Sequence, residues 1–235
     1  MNDRKVASPS CATCNVSMDR RICLTSNGIG SKGCPTLIKK DIAQAAQKSY
    51  LENENLLKFA RQAAIQESEC YANRHEQPYV LQPIKPRILE VIEFAQKMDY
   101  HKLGLAFCIG LHTEAAALAE ILTNYDFEVV SAVCKSGAIA KETLGLTEEH
   151  KIYKGQEETI CNPVFQAEVL NSEETDFNLL LGLCVGHDSI FFQRSQAPVT
   201  VVAVKDRVTG HNPLAALYLS GCYFERIKNP GKISK

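Results

Sequence analysis

Four short apolar segments in the second half of the chain constrain its fold most strongly. They are 103–110 (LGLAFCIG), 127–134 (FEVVSAVC), 177–186 (FNLLLGLCVG) and 199–206 (VTVVAVKD). Segments with helical composition alternate with them, at 113–123, 162–171, 188–195 and 213–220. Continuous apolar strands that alternate with helices are typical of a parallel sheet covered on both faces. The pattern predicts an α/β fold with a Rossmann-like open parallel sheet.

The first hundred residues have a different character. From Pro35 to about residue 73 the chain is rich in strong helix formers, which predicts one long helix or two. Prolines at 78, 83 and 86 indicate a linker, and an amphipathic helix is expected at 88–100. We therefore divide the chain into a cysteine-rich metal-binding segment (1–36), a helical segment (37–100) and an α/β domain (101–235). The first segment would be an N-terminal extension of the fold.

Charge and hydropathy exclude several classes of partner. Lys and Arg number 26 against 27 Asp and Glu, so there is no basic surface of the kind that binds nucleic acid. The N-terminal MNDRKVASPS lacks the apolar core of a signal peptide, and no stretch approaches the roughly 18 apolar residues of a membrane span. We expect a cytoplasmic protein without nucleic-acid or membrane partners. The oligomeric state is not indicated.

The chain contains ten cysteines, which is many for a reducing compartment. Four of them follow the pattern C-x2-C-x8-C-x10-C, at Cys11, Cys14, Cys23 and Cys34. Two thiols separated by two residues can bind one metal through a tight turn, and glycines in the spacers allow the other two to fold back. Four thiolates fit one iron–sulfur cluster or one Zn²⁺ ion. The Cys-Pro ending favours a cluster of the 4Fe–4S type, with zinc as the alternative.

A second group of cysteines lies near the predicted strand ends. Cys108, Cys134 and Cys184 come near the carboxyl ends of three strands, and Cys161 directly precedes a helix with Asn and Pro at its start. In a parallel open sheet these ends share one edge, where ligands bind. Together with His187, these four cysteines form a candidate cofactor site. The alternative is that they are ordinary core residues, since cysteine is often buried. We interpret Cys70 and Cys222 as structural.

Polar residues follow the same predicted strand ends. They are His112, Glu114, Lys135, His187, Asp188, Lys205, Asp206, Arg207, His211 and Asn212. His187 could be a metal ligand or an acid/base group, or, like Asp188, a solvated residue at a helix start. The turn after the first strand, CIGLHTEA, lacks a phosphate-binding fingerprint, and no G-x-S-x-G motif indicates a hydrolase.

Five stretches of the chain resemble a known family. They are CATCNVSMDRRIC, FCIGLHTEA, ICNPVFQAEVLN, LLGLCVGHDSIF and APVTVVAVKDRVTGHNPLAALY. Together they are similar to a prokaryotic domain-of-unknown-function family of cysteine-rich proteins that carry the label metal-binding. The resemblance covers nearly the whole chain and implies a metal, but no reaction.

Three functions remain open at this point. The first is an iron–sulfur protein with a redox or sulfur-related role, whose partner would be an electron-transfer protein or a small molecule. The second is a zinc-stabilised α/β binding module without catalysis. The third is a cysteine-dependent enzyme with Cys161 or Cys184 as nucleophile and His187 as base. The sequence does not decide whether the protein is an enzyme.

Overall fold

A computed structural model describes residues 8–229 and 231 of the chain. The first seven residues of the predicted cysteine-rich segment lie outside the described residues. The chain divides into two compact units, the first ending at Ile65 and the second beginning at Gln66. The predicted division at residues 36 and 100 stays a prediction.

The first unit combines short turns with helices. Two 3₁₀ turns, Cys11–Thr13 and Met18–Arg20, precede α1 (Pro35–Ile38), α2 (Lys40–Glu52) and α3 (Glu54–Glu69), which continues into the second unit. The sequence predicted one helix or two here, and the structure has three. Lys39 leaves helical geometry between α1 and α2, and Asn53 ends α2. The Asn53 side chain then accepts the Leu56 N–H at 3.0 Å, which starts α3.

The second unit alternates helices and strands. It contains α4 (Arg87–Met98), β1 (Lys102–Phe107), α5 (His112–Asn124), β2 (Glu128–Val133), α6 (Pro163–Ser172), β3 (Phe177–Leu183), α7 (His187–Arg194), β4 (Val199–Val204), α8 (Leu214–Tyr218) and α9 (Glu225–Lys228). Further 3₁₀ turns lie at Ile109–Leu111, Lys141–Leu144 and Glu148–His150. Within the described part of the chain, no helix has the length and apolar character needed to cross a bilayer.

The four strands form one parallel sheet in the order β2-β1-β3-β4, which confirms the predicted α/β fold. β2 lies on one side of β1 and β3 lies on the other, so the connection from β2 to β3 crosses over β1. Right-handed crossovers therefore place α5 on one face and α6 and α7 on the other. Direct packing of α6 against α7 agrees with this arrangement. The order reverses between β1 and β3, which is where open α/β sheets form their ligand crevice.

The hydrophobic core extends to the carboxyl edge of this sheet. Ala106, Leu180, Leu183 and the fully buried Phe191 of α7 pack in one cluster with Cys108 and Cys134. Cys161 packs against the same cluster from its rim. Two thiols of the candidate site therefore belong to the core, and a third borders both core and solvent.

Candidate functional site

The residues that directly follow the four strands lie side by side along one edge of the sheet. In sheet order they are Cys134, Cys108, Cys184 and Lys205. Backbone hydrogen bonds fix this row, because Cys134 N–H donates to Phe107 O at 2.8 Å and Cys108 N–H donates to Leu181 O at 3.0 Å. The predicted strand ends are thus correct to within a few residues, and each strand stops before its cysteine or lysine.

Cys161 reaches this edge through the segment that leads into α6. The Asn162 N–H donates to the Cys134 carbonyl oxygen at 2.7 Å, and the Ile160 N–H donates to Ile139 O at 2.9 Å. The Asn162 side chain accepts the Phe165 N–H at 3.0 Å, which makes it the predicted helix cap. Cys161 is therefore held beside Cys134 although 26 residues separate them in the chain.

Three cysteines lie together at this edge, here called the sheet-edge thiols: Cys108, Cys134 and Cys161. Cys134 has both Cys108 and Cys161 as neighbours in the hydrophobic cluster. Its sulfur also accepts the Ile109 N–H at 3.3 Å. Cys134 is 2% exposed and Cys108 is 8% exposed, whereas Cys161 is half-buried. A reagent from solvent therefore meets Cys161 first.

The three thiols differ in acidity because Cys134 lies between the other two. The neighbouring Cys134 thiol lowers the pKa of Cys108 to about 5, assisted by the Gly110 N–H and the Lys205 ammonium. It also lowers the pKa of Cys161 to about 6, assisted by the charges of Lys135 and His187. The two neighbouring sulfurs and burial raise the pKa of the Cys134 thiol itself. The group thus favours thiolates at its two ends and a protonated thiol in the middle.

Two lysines are built into this edge. A methyl group at Gly110 would lie 3.7 Å from Lys205 Nζ and 3.9 Å from Cys108 Sγ, so both groups flank this glycine. On the other side, Lys135 Nζ donates to the Thr159 carbonyl oxygen, just before Cys161. Each of the two thiols whose pKa is lowered therefore has one lysine ammonium near it, Lys205 for Cys108 and Lys135 for Cys161.

Cys184 has a different partner from the other three predicted cysteines. The Arg207 guanidinium donates to Cys184 Sγ at 3.2 Å, and this contact raises the pKa of Arg207. The charges of Cys108 and Cys161 add to the same effect. The Cys184 carbonyl oxygen also accepts the His187 N–H at 3.0 Å, in the turn that leads into α7.

Several of the other predicted polar residues have local roles. Asp206 accepts the Val208 and Thr209 N–H groups, both at 2.9 Å, and closes the turn after β4. His211 Nδ1 lies 3.1 Å from Val204 O in the same turn, and Asp188 accepts the Ser189 N–H at 2.7 Å. The exposed His112 packs its ring edge-on against Phe107, with 6.0 Å between ring centroids. These contacts stabilise the loops of the sheet edge.

Sequence reasoning missed Gln166, which is completely buried in α6. Its Nε2 donates to Ala132 O at 2.7 Å and to Phe107 O at 3.2 Å, directly below Cys134 and Cys108. It therefore fixes α6 to the ends of β1 and β2. A glutamine in an apolar helix gives no signal for such a role, because the acceptors are backbone carbonyls on distant strands.

The four N-terminal cysteines lie on a compact arrangement of turns. Cys14 N–H donates to Cys11 O at 3.1 Å, which closes the C-x2-C turn. Ile22 N–H donates to Ile29 O at 3.0 Å, and Ile29 N–H returns a bond to Arg20 O at 2.8 Å, so Cys23 lies in a closed loop. Ser10 N–H donates to Gly33 O at 3.1 Å, which brings the start of the segment beside Cys34.

All four of these cysteines line one cavity of about 60 Å³, together with Arg21, Ile29 and Ser31 among others. Glycine 30 forms part of the wall, since a methyl group there would lie 2.9 Å from Cys34 Sγ. The Val16 N–H hydrogen bond lowers the pKa of Cys14, and Ser31 and the Arg21 charge act in the same direction. Cys11 and Cys23 are exposed, and Cys14 and Cys34 are half-buried.

Neither cysteine group forms a complete metal shell as it stands. Among residues 8–229 and 231, no three His, Cys, Asp or Glu side chains lie in an arrangement that could hold a metal ion. The predicted metal ligands and the predicted cofactor site at the sheet edge both stay predictions.

Comparison with known proteins places the chain in a family. The family described as "Protein of unknown function (DUF1847)" matches residues 34–202. An uncharacterized protein of Methanocaldococcus jannaschii is 42% identical over 208 residues, which cover 88% of this chain and 93% of the relative. No solved structure matches the chain. Neither description names a metal, a substrate or a reaction, so the label metal-binding stays a prediction. The chain belongs to the DUF1847 family of proteins of unknown function.

Proposed function

We propose that this protein binds an iron–sulfur cluster of the 4Fe–4S type through Cys11, Cys14, Cys23 and Cys34. The observation that carries the proposal is the single cavity that all four thiols line, although they are spread over 24 residues of sequence. Thiolates are the ligands that such clusters require, one for each iron. The cavity therefore offers the four thiol donors that the group requires, and the side chains would have to turn toward it to bind.

A cluster accounts for the cavity better than a zinc ion does. A single Zn²⁺ binds four sulfurs at about 2.3 Å and fills little space between them. A cluster of four irons and four sulfides needs a hollow between its ligands, and the cavity that the four thiols line supplies one. The tight C-x2-C turn at Cys11 and Cys14 is compatible with either group.

The residues around the cavity would prepare the thiols for binding. Metal ligation requires the thiolate form, and the Val16 N–H and the Arg21 guanidinium favour that form at Cys14. Cys11 and Cys23 are exposed, so their side chains can turn toward a bound group without disturbing a packed core. When bound, the cluster would supply one-electron transfer or a sulfur-related step.

Metal analysis of protein purified without oxygen tests this proposal. We expect a brown protein with broad visible absorption and matching amounts of iron and acid-labile sulfide. Cys14→Ser should lose most of the iron and the colour, because one ligand of four is removed. Cys222→Ser replaces an exposed cysteine outside the cavity and should retain both.

The same experiment has a result that would overturn the proposal. Colourless protein with stoichiometric zinc, lost in Cys14→Ser together with thermal stability, would instead assign a structural zinc site. Wild-type protein that keeps neither metal after anaerobic reconstitution would remove the metal site altogether.

A further inference from the structure

The sheet-edge thiols lie outside the proposed cluster site and have a chemistry of their own. We propose that they carry out thiol–disulfide exchange with a low-molecular-weight disulfide, with Cys161 as the attacking thiol and Cys134 as the resolving thiol. The proposal rests on the packing of these two cysteines side by side at the sheet edge and on their unequal exposure.

Exposure assigns the first step to Cys161. It is the half-buried member of the group, whereas Cys108 and Cys134 are 8% and 2% exposed. A disulfide from solvent can therefore approach Cys161 while the other two thiols remain covered. The Lys135 and His187 charges favour the thiolate at Cys161, and the thiolate is the form that attacks a disulfide.

Contact assigns the second step to Cys134. Cys134 and Cys161 pack in the same cluster, and the Asn162 N–H, next to Cys161, donates to the Cys134 carbonyl oxygen at 2.7 Å. A mixed disulfide on Cys161 would form next to the Cys134 sulfur. Cys134 is buried and stays protonated until the mixed disulfide has formed, so it does not compete with Cys161 for the incoming disulfide.

Cys108 is the proton acceptor for the resolving thiol, Cys134. The Cys108 side chain lies in the same cluster as Cys134, and the Cys134 thiol and the Lys205 ammonium lower its pKa, so it is present as a thiolate. Once Cys161 is in a neutral mixed disulfide, Cys108 and Cys134 share one proton and one negative charge. Because the Cys161 charge no longer helps to hold the proton on Cys134, the Cys108 thiolate can accept that proton as the Cys134 sulfur attacks.

The reaction balances without an additional reagent. The Cys161 thiolate attacks one sulfur of RSSR, the disulfide bond breaks, and the leaving RS⁻ takes a proton from water. The Cys134 proton passes to Cys108, and the Cys134 thiolate attacks Cys161 in the mixed disulfide. The second RS⁻ leaves and takes the proton from Cys108. Two cysteine thiols are oxidised to one disulfide, and RSSR is reduced to two RSH.

A metal at the same three sulfurs is the competing interpretation. Such a site would require all three thiols to be deprotonated, whereas the neighbouring sulfurs and burial favour the protonated form of Cys134. The fourth nearby cysteine, Cys184, already accepts a hydrogen bond from Arg207. These observations favour exchange chemistry.

Treatment of the reduced full-length protein with glutathione disulfide tests the proposal. The wild-type chain should release two glutathione molecules for each disulfide formed, and peptide mapping should find Cys134 joined to Cys161. Cys134→Ser should stop at a mixed disulfide between glutathione and Cys161. Cys161→Ser should form neither species at this edge, and Cys70→Ser, which replaces a buried cysteine outside the group, should react like the wild type.

Peptide mapping separates this reaction from any modification of the four N-terminal cysteines. The wild-type measurement decides the matter even if a variant does not fold. An unmodified Cys161, or a glutathione adduct that persists on it in the wild-type protein, would overturn the proposal. So would a metal that remains bound when Cys11, Cys14, Cys23 and Cys34 are replaced by serine and is lost on replacing Cys134.

Discussion

The Cys161 thiol lies among groups from several parts of the fold that all influence its charge. The neighbouring Cys134 thiol and the Lys135 and His187 charges favour its thiolate, and the Cys108 charge opposes it. Neighbouring cysteines therefore differ in chemistry because of position alone. A thiol that is both accessible and ionised near neutral pH is reactive, and Cys161 combines the two properties.

The alkylation rate of Cys161 should report this environment. Because its pKa is lowered to about 6, the rate with iodoacetamide should rise through pH 6 and level off near neutrality, and it should be lost at lower pH as the thiolate protonates. An ordinary thiol would keep gaining rate up to about pH 8.5. Cys134→Ala removes the largest cause and should move the midpoint upward.

Mass spectrometry of the Cys161 peptide measures this rate. Cys70→Ala is the matched control, since it also truncates a buried cysteine but leaves the sheet-edge thiols intact. A wild-type midpoint near that of a free thiol, or a midpoint that Cys134→Ala does not move, would show that the neighbours do not set the acidity of Cys161.

Residue patterns predicted part of this environment. The positions of Cys108, Cys134 and Cys184 after apolar runs were enough to place them at one edge of a parallel sheet. The pairing of Cys184 with Arg207 was not predictable, because it depends on the path of the turn after β4. The closeness of Cys161 to Cys134 depends on the loop between β2 and α6, which carries no periodic signal.

Among the elements, α6 connects the sheet to the thiols. Its first turn is capped by Asn162, one residue after Cys161, and its second turn carries Gln166. Gln166 donates to the carbonyl oxygens of Phe107 and Ala132, at the ends of β1 and β2. The helix is thereby fixed to the two strands that lead into Cys108 and Cys134.

Replacing Gln166 by methionine should lower the free energy of unfolding by about 1–2 kcal/mol. The substitution keeps the length of the side chain but removes two buried hydrogen bonds, each contributing roughly 0.5–1.5 kcal/mol. Gln166 Oε1 is buried without a hydrogen-bond partner in the described structure, and its removal offsets part of the loss. Urea unfolding followed by circular dichroism measures the change.

Gln193→Met on α7 is the control, because Gln193 is exposed. It should change stability by less than about 0.5 kcal/mol. Equal stabilities for both variants would mean that Gln166 does not secure α6.

Element order was the most predictable level of the structure, since the alternation of apolar strands with helices already requires a parallel sheet. The interruptions in the N-terminal helices were less predictable. Ala, Gln, Glu and Lys favour helix on both sides of Asn53, and only its side-chain bond to the Leu56 N–H starts a new helix there. A single capping residue inside a strongly helical composition is a weak signal.

At the scale of the whole molecule, the chain carries two separate groups of thiols. The N-terminal four belong to the unit that ends at Ile65, and the sheet-edge thiols belong to the unit that begins at Gln66. The first group surrounds a cavity between turns, whereas the second lies in and beside a packed hydrophobic cluster. The hydrophobic cluster behind Cys108 and Cys134 consists of residues from the second unit.

This separation predicts that the two sites can be removed independently. A variant with Cys11, Cys14, Cys23 and Cys34 all replaced by serine should lose its iron but keep the main unfolding transition of the α/β unit. Its Cys161 should react with glutathione disulfide at the wild-type rate, because the residues that set its acidity all lie beyond Gln66. Iron analysis, thermal unfolding and the exchange rate check the three expectations in one preparation. Loss of exchange in a variant that is still folded would contradict this independence.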